Sequence, residues 1–288
     1  MMFDIDNLPQ IPGEAFTAPA QIIEKVIDKF SDVIGWSVTP RGNKAYQIEA
    51  EEYLIEKIKG DSGMPELAKA ACISKVRKII KEYQKQNNIC LKALRFLDST
   101  ADPDSVDDDW LTYFFEHAKN ISKEEMAVIW SHVLAREINT PNHIPKSLLN
   151  ILSVIDYEDA VAFRKLANIS LQIGEGYYPI YFIDMPDIYK EIELKPNDVI
   201  RLQETNLIQY SKQTYDILLD PNDNITYFDK KIDIGSVGKI CVGELILSKA
   251  GNALMSVITD KRKVDGFEQF VKETVIKTDY KIAKILSN

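Results

Sequence analysis

The sequence lacks most of what a metal centre, a disulfide framework or a recognised catalytic fold requires. It has three cysteines, Cys72, Cys90 and Cys241, in 288 residues. An odd number at distant positions fits neither a disulfide framework nor a zinc knuckle. Cys72 and Cys90 fall among apolar residues, where cysteine serves as a small core hydrophobe. There are three histidines, His117, His132 and His143. No pair of them has the i, i+4 spacing of a helical metal site, and H-E-x-x-H does not occur. The glycine patterns that cradle phosphate or present a nucleophile are missing as well: there is no Walker loop, no G-x-G-x-x-G and no G-x-S-x-G. No cofactor and no metal are expected.

No apolar run approaches the ~20 residues that a membrane helix needs. The opening residues, MMFDIDNLPQIPGEAF, carry neither a basic n-region nor an apolar h-region, so no secretion signal is read there. A cytoplasmic protein without a membrane partner is expected. Positive charge is also in deficit: Lys and Arg number 35 against 44 Asp and Glu, a net charge of −9. That balance argues against a general nucleic-acid coat. The 45% hydrophobic and 27% charged content is ordinary for a globular chain with a buried core in one or two domains.

What the sequence does have is helical patterning, clearest between Asp107 and Leu152. Asp107, Asp108 and Asp109 precede Trp110, and carboxylates belong in a first turn, where free N–H groups and the helix dipole favour negative charge. Trp110, Tyr113, Phe114 and His117 or Ala118 then form an inward face. Ser122, with Glu125 three residues on, reads as a capping box. Behind it Met126, Ile129, Trp130, Val133, Leu134 and Ile138 fall on one helical stripe, which Asn139, Pro141 and Pro145 end. Ser147 is read as the cap of a short helix with Leu148, Leu149, Leu152 and Ile155. Asp156 opens another, with Tyr157, Ala160, Phe163 and Leu166 inward. Short connections make these helices antiparallel neighbours.

Four pieces of this sequence together resemble the bacterial family known as domain of unknown function 2806. They are Gln86-Asn87-Asn88-Ile89; Val106-Asp107-Asp108-Asp109-Trp110 with Phe114 and Phe115; Trp130-Ser131-His132-Val133-Leu134-Ala135-Arg136-Glu137 with Pro141; and Ser147, Leu149 and Leu152 followed by Asp159-Ala160 and Phe163. Their order and spacing fit over roughly residues 40–258. The resemblance implies a helical domain with no established activity, in a bacterial accessory, stress or phage-defence setting. It makes Asn88, Asp109, Trp110, Trp130, Glu137 and Pro141 structural motif positions. One departure is visible: glycine is expected after Pro141, and this chain has Asn142. Asparagine is the usual substitute where a left-handed turn is needed.

Elsewhere, residues 1–18 read as an extended apolar arm that packs on its own fold or on a second subunit. A helix over 19–34 carries Ile22, Ile23, Val26, Ile27, Phe30, Val33 and Ile34 and stops at Gly35. A helix over 43–59 has Ala45, Ile48, Tyr53, Leu54, Ile55 and Ile58. A long helix runs from about Pro65 to Asp98, and the two suggest a helical hairpin. Between Lys69 and Phe96 there are eight basic residues and one acidic, Glu82. From Leu97 to Glu125 the balance reverses, with nine acidic residues against two lysines. The basic stripe reads either as a phosphate-contacting face, through Lys75, Arg77, Lys78, Lys81 and Lys85, or as a solvated face paired with the acidic segment, within the chain or across a dimer. The second is favoured because both halves of such a pair are present. The acidic run does not fit a calcium loop: with Asp102 at loop position one, position six is Asp107 rather than glycine.

Past Ala167 the texture changes. YYPIYFI (177–183) reads as a strand, Asp187–Glu191 as a short helix, and a helix starts at Lys195-Pro196-Asn197. Strands follow over Ile208–Leu219, Ile225–Ile234 and Lys239–Leu247, then a helix from Ser248. This order resembles a winged helix. Its candidate recognition helix offers Asp198, Arg201 and Glu204, and its wing Asp229, Lys230, Lys231 and Asp233. Neither is net basic, so a protein-contact or structural wing is favoured over DNA reading.

The expected fold is therefore mainly α: an arm over 1–18, a multi-helix domain over 19–168, a smaller winged-helix-like α+β domain over 169–260 and a C-terminal segment over 261–288. The expected function is a non-enzymatic interaction or regulatory protein with a protein partner or self-association. The alternatives are a nucleic-acid-binding module using the basic helix and an enzyme or toxin of unrecognised type, centred on Glu137 or Asp107–Asp109.

Overall fold

The computed structural model describes residues 17–38, 44–220, 223–233 and 238–276. The expected arm, apart from Thr17 and Ala18, and the C-terminal segment past Ile276 lie outside the described residues. The chain divides into two compact units, Met1–Ser153 and Val154–Asn288. Among the described residues no helix is long and apolar enough to cross a membrane.

The first unit is helical: α1 (Ala20–Ile34), α2 (Lys44–Gly60), α3 (Glu66–Ala93), α4 (Asp108–Ala118), α5 (Glu124–Asn139) and α6 (Lys146–Val154). The α1 stripe buries Ile23, Val26, Ile27 and Phe30, and Phe30 meets Phe115 of α4 edge-on at 5.6 Å. Gly35 ends α1 in the left-handed region, at φ 74°, which costs glycine nothing. The helix α5 is central. Trp130 is 0% exposed, and Met126, Val133, Leu134 and Ile138 are buried with it. Its neighbour across the core is Phe114, whose ring lies 5.1 Å from the indole. Asp107 caps α4, its carboxylate accepting from the N–H groups of Asp109 and Trp110.

Several local expectations are corrected. The helix α5 starts at Glu124 with Lys123 at its cap position and no side-chain cap, while the Ser122 hydroxyl donates to Asn120 O. Ser147 lies inside α6, which starts at Lys146. Tyr157 is 46% exposed. The long helix ends at Ala93, with one 3-10 turn over Leu94–Phe96. Among the described side chains of α2, residues 47–60, only Gln47 and Ile55 are buried, and Ile48, Tyr53 and Leu54 face outward. The apolar positions of α2 favour a helix without supplying a partner for its face.

The second unit begins with α7 (Tyr157–Ala167), which the sequence places in the helical domain, and continues through β1 (Ser170–Ile173), β2 (Gly176–Pro179), a 3-10 turn over Pro186–Tyr189, α8 (Pro196–Glu204), β3 (Ile208–Leu218), β4 (Ile225–Tyr227), β5 (Lys230–Ile232), β6 (Lys239–Leu247), α9 (Lys249–Val257) and α10 (Phe267–Phe270). Asp156 caps α7 in a reciprocal box with Asp159. The strands form two antiparallel sheets, one ordered β2-β1-β4-β5 and one of β3 and β6. The strands expected over 208–219 and 239–247 are present as β3 and β6, but the one expected over 225–234 is instead two short strands, β4 and β5, paired with each other, and β4 pairs with β1 rather than with β3 or β6. The strand read over 177–183 is shorter, and past Pro179 the chain makes a single parallel bridge, Tyr181 to Gly243. There a Cβ on Gly243 would stand 1.8 Å from Tyr181 O, at φ 94°, so only glycine fits. A Cβ on Gly251 of α9 would stand 2.0 Å from Leu207 O.

Candidate functional site

The motif residues carry the strongest sequence signal. Glu137 is 1% exposed, and its two oxygens accept the N–H groups of Asn142 and Ile144, each at 2.7 Å. Asn142 sits at φ 66°, the left-handed turn for which asparagine substitutes for glycine. Ile144 O in turn accepts Trp110 Nε1–H at 2.8 Å. The second and third motif pieces therefore meet on one short loop: Pro141 leads into the turn, Glu137 holds its N–H groups, and Trp110 holds its carbonyl. Burial pushes the Glu137 carboxyl above the usual range, although the loop N–H groups oppose that. The other motif positions are also in structural use. Asn88 Nδ2 donates to Glu124 at 3.4 Å. Asp109 is an exposed residue of the first turn of α4. Trp130 fills the core, and its Nε1–H has no acceptor among the described residues. This constellation is a clamp on the α5–α6 corner, with both Glu137 oxygens committed to backbone.

The histidines and cysteines are dispersed. His117 Nδ1 contacts Tyr113 O at 2.8 Å, and His132 stacks on Phe96 at 3.8 Å. Cys90 and Cys241 are buried free thiols, and burial raises both. Among the described residues no group of three or more His, Cys, Asp or Glu is placed to hold a metal ion.

The basic residues are arranged differently. An open groove of about 730 Å³ follows α3, walled by Arg77, Lys78, Lys81, Lys85 and Lys119 over Ala70 and Ile73. Positions 67, 70, 74, 78, 81 and 85 repeat at helical spacing, so Leu67, 84% exposed, continues the same face. Lys75 is exposed on α3 but does not line the groove. Among the described residues, Lys119 pairs with Glu116 of the acidic segment at 2.6 Å, whereas Lys75, Arg77, Lys78, Lys81 and Lys85 form no ion pair with that segment. Asp104 pairs with Lys25 at 3.0 Å and Asp108 with Lys29 at 2.6 Å, both on α1. The segment meets α3 through Glu124 and Lys92 at 2.6 Å, and that lysine holds the Glu124 carboxyl below the usual range. Arg77 instead meets Glu51 of α2 at 3.1 Å, and Lys78 meets Glu82 at 3.8 Å. Lys85 donates to Asn120 O at 3.2 Å. Lys75 and Lys81 form no ion pair among the described residues. Lys119 and Asn120, which close the groove, were not singled out from sequence. They arrive from the end of α4, and their only signal was the reversal of charge after Leu97.

In the second unit the candidate recognition helix is occupied with its own neighbour. Arg201 reaches Asp156, Glu158 and Asp159 at 3.0 Å each, and Asp198 pairs with Lys165 at 2.9 Å. The Asp159 N–H, with Arg201 beyond it, holds the Asp156 carboxyl below the usual range. Of the wing residues, Lys230 is paired with Glu268 at 2.5 Å.

No curated protein and no solved structure matches the chain. The model of the family described as "Protein of unknown function (DUF2806)" matches residues 73–272, which takes in the α3 groove from Ile73 onward, the Trp110–Glu137 clamp and nearly all of the second unit. With its second and third motif pieces meeting at one corner and most of its length matched, the chain belongs to the DUF2806 family.

Proposed function

We propose that this protein is a non-enzymatic recognition protein, and that the α3 groove takes an acidic segment of a protein partner. The observation that carries the reading is the groove lining: five cations around an open trough floored by Ala70 and Ile73, with Glu82 its one carboxylate. Mixed aliphatic and cationic lining suits an acidic, amphipathic chain, because apolar contact supplies affinity and charge supplies steering and register. The outward Tyr53 and Leu54 of α2 add apolar surface of the kind that marks contact sites. Glu137, the carboxylate best placed by burial to act as an acid or base, is committed to the loop N–H groups, which supports a role without catalysis. The winged-helix-like reading of the second unit belongs to the same proposal, as a contact or structural element, since Asp198 and Arg201 are engaged by α7. A cytoplasmic setting in a bacterial stress or defence system is proposed from the family resemblance.

A second reading has one observation in its favour. Lys75 and Lys81 form no ion pair among the described residues, and unpaired cations along a helix suit phosphates, whose neutralisation supplies most nucleic-acid affinity. One experiment separates the two. The tagged full chain is used to capture partners from its host at low salt, and both protein and nucleic acid are analysed, for the wild type and for a variant with Lys75, Arg77, Lys78, Lys81 and Lys85 changed to glutamate. A stoichiometric acidic protein lost from the variant supports the proposal. Nucleic acid that washes off steeply with salt and is lost from the variant supports the second reading. Retention unchanged by the five substitutions sinks both.

A further inference from the structure

The second unit holds a lysine, Lys261, with no ion-pair partner among the described residues. After α9 the chain is pinned at successive points. Asp260 accepts from Arg164 at 2.6 Å, Arg262 N–H donates to Asn168 Oδ1 at 2.8 Å, Val264 N–H donates to Tyr227 Oη at 3.0 Å, and Asp265 N–H donates to Glu191 at 3.0 Å. Tyr227 is itself buried, and its hydroxyl donates to Asn168 O at 2.8 Å. Between these anchors Lys261 lines a cavity of about 330 Å³ together with Gln172, Tyr177, Thr226, Asp229 and Thr259. Its Nζ lies 4.8 Å from the centroid of the Tyr177 ring, and it forms no ion pair among the described residues. Burial pulls the ammonium below the ordinary lysine range.

A lysine on a fixed backbone, in a ligand-sized hollow whose lining includes one carboxylate, Asp229, has an unmet need for negative charge. We propose that this cavity is a binding site for a small molecule carrying a compact oxyanion, a carboxylate or a phosphate, with Lys261 as its counter-ion. Tyr177 steadies the ammonium through its ring face. Thr226, Thr259 and Gln172 supply donors of the kind the remaining oxygens need. Asp229, also in the lining, disfavours a bare anion throughout the hollow. It suits a ligand that offers a hydroxyl or ammonium away from its oxyanion. The site is separate from the α3 groove, and either proposal stands or falls without the other.

The test reads Lys261 directly in the wild-type full chain. Amines are acylated with a limiting reagent, in chloride, acetate and inorganic phosphate at matched ionic strength, and each lysine is followed by peptide mass spectrometry. Modification of Lys261 is expected to fall by at least about threefold in acetate or phosphate, as occupancy by a bound anion requires, with Lys231 and Lys249 unchanged. Protection by acetate alone assigns a carboxylate, by phosphate alone a phosphate, and by both a general oxyanion site. No protection in either medium, or equal protection of Lys231 and Lys249, overturns the proposal. A second measurement uses Lys261→Gln. The protecting anion should raise the unfolding temperature of the wild type and of the α3 charge variant, and leave that of Lys261→Gln unmoved. An equal rise in Lys261→Gln overturns the site, and if that variant does not fold the labelling alone decides.

Discussion

Two regions of the first unit hold charge in opposite ways. At the α5–α6 corner a single carboxylate, Glu137, is fully buried with both oxygens bonded to loop N–H groups at 2.7 Å. Along α3 several cations surround one groove, and those on the helix are held by single contacts or by none. Both regions are polar and both lie within the family match, yet only the first is needed to hold the chain in shape. A buried charge survives only when its partners are built in. A surface cation needs no partner to survive, so leaving it unpaired costs the fold little and leaves it available to a ligand. The contrast separates residues that define the architecture from residues free to define a function.

The sharpest way to break the comparison is to delete the carboxylate. Glu137→Ala would strand the Asn142 and Ile144 N–H groups without acceptors and open a cavity beside them. We expect a loss of about 3–5 kcal/mol in urea unfolding. Glu137→Gln keeps the volume but sets an amide NH2 against one donor, and should cost about 1–3 kcal/mol. A loss under about 0.5 kcal/mol for Glu137→Ala would mean that the corner is not held as described.

The two motif tryptophans sharpen the point on a smaller scale. Trp110→Phe removes the bond from Nε1–H to Ile144 O. Trp130→Phe removes an N–H that has no acceptor among the described residues. Both lose ring volume, so the hydrogen bond is the main difference between them, and Trp110→Phe should be the more destabilising by about 1–2 kcal/mol. The reverse order would show that core filling outweighs the loop contact.

Titration gives a smaller effect with a definite sign. The Glu137 carboxyl lies above its ordinary value of 4.5 in the fold. The folded state therefore holds that proton more tightly than the unfolded chain does, and stability falls as pH rises from about 4.5 through the raised value. The wild type's advantage over Glu137→Gln should shrink across that window in urea titrations at stepped pH. A growing advantage would mean that the loop N–H groups outweigh burial and that the shift has the other sign.

Much of this architecture was legible locally. Periodicity placed α1, α4 and α5, Asp156 announced the cap of α7, and Asn142 marked a left-handed turn that is present at φ 66°. What was not legible depends on partners distant in sequence. The α2 apolar positions form a helix, but nothing in their spacing says that Tyr53 would lie 58% exposed. The acidic residues from Asp98 to Glu125 look complementary to α3, yet Asp104 and Asp108 are nearer α1, which only tertiary packing decides. The same holds for β4 pairing with β1, for Lys119 closing the groove and for the isolation of Lys261.

The smallest expected change is the one that most directly tests the surface side of the comparison. Lys75 and Lys81 are exposed and form no ion pair among the described residues. Replacing both with glutamine removes no bond the fold uses, and glutamine is nearly as good a helix former as lysine. Stability should therefore stay within about 0.5 kcal/mol of the wild type, while partner retention at low salt weakens. A clear loss of stability would show that these cations are part of the fold's own charge balance. The α3 groove would then belong with the Glu137 corner as architecture, and the search for a contact surface would move to the outward face of α2.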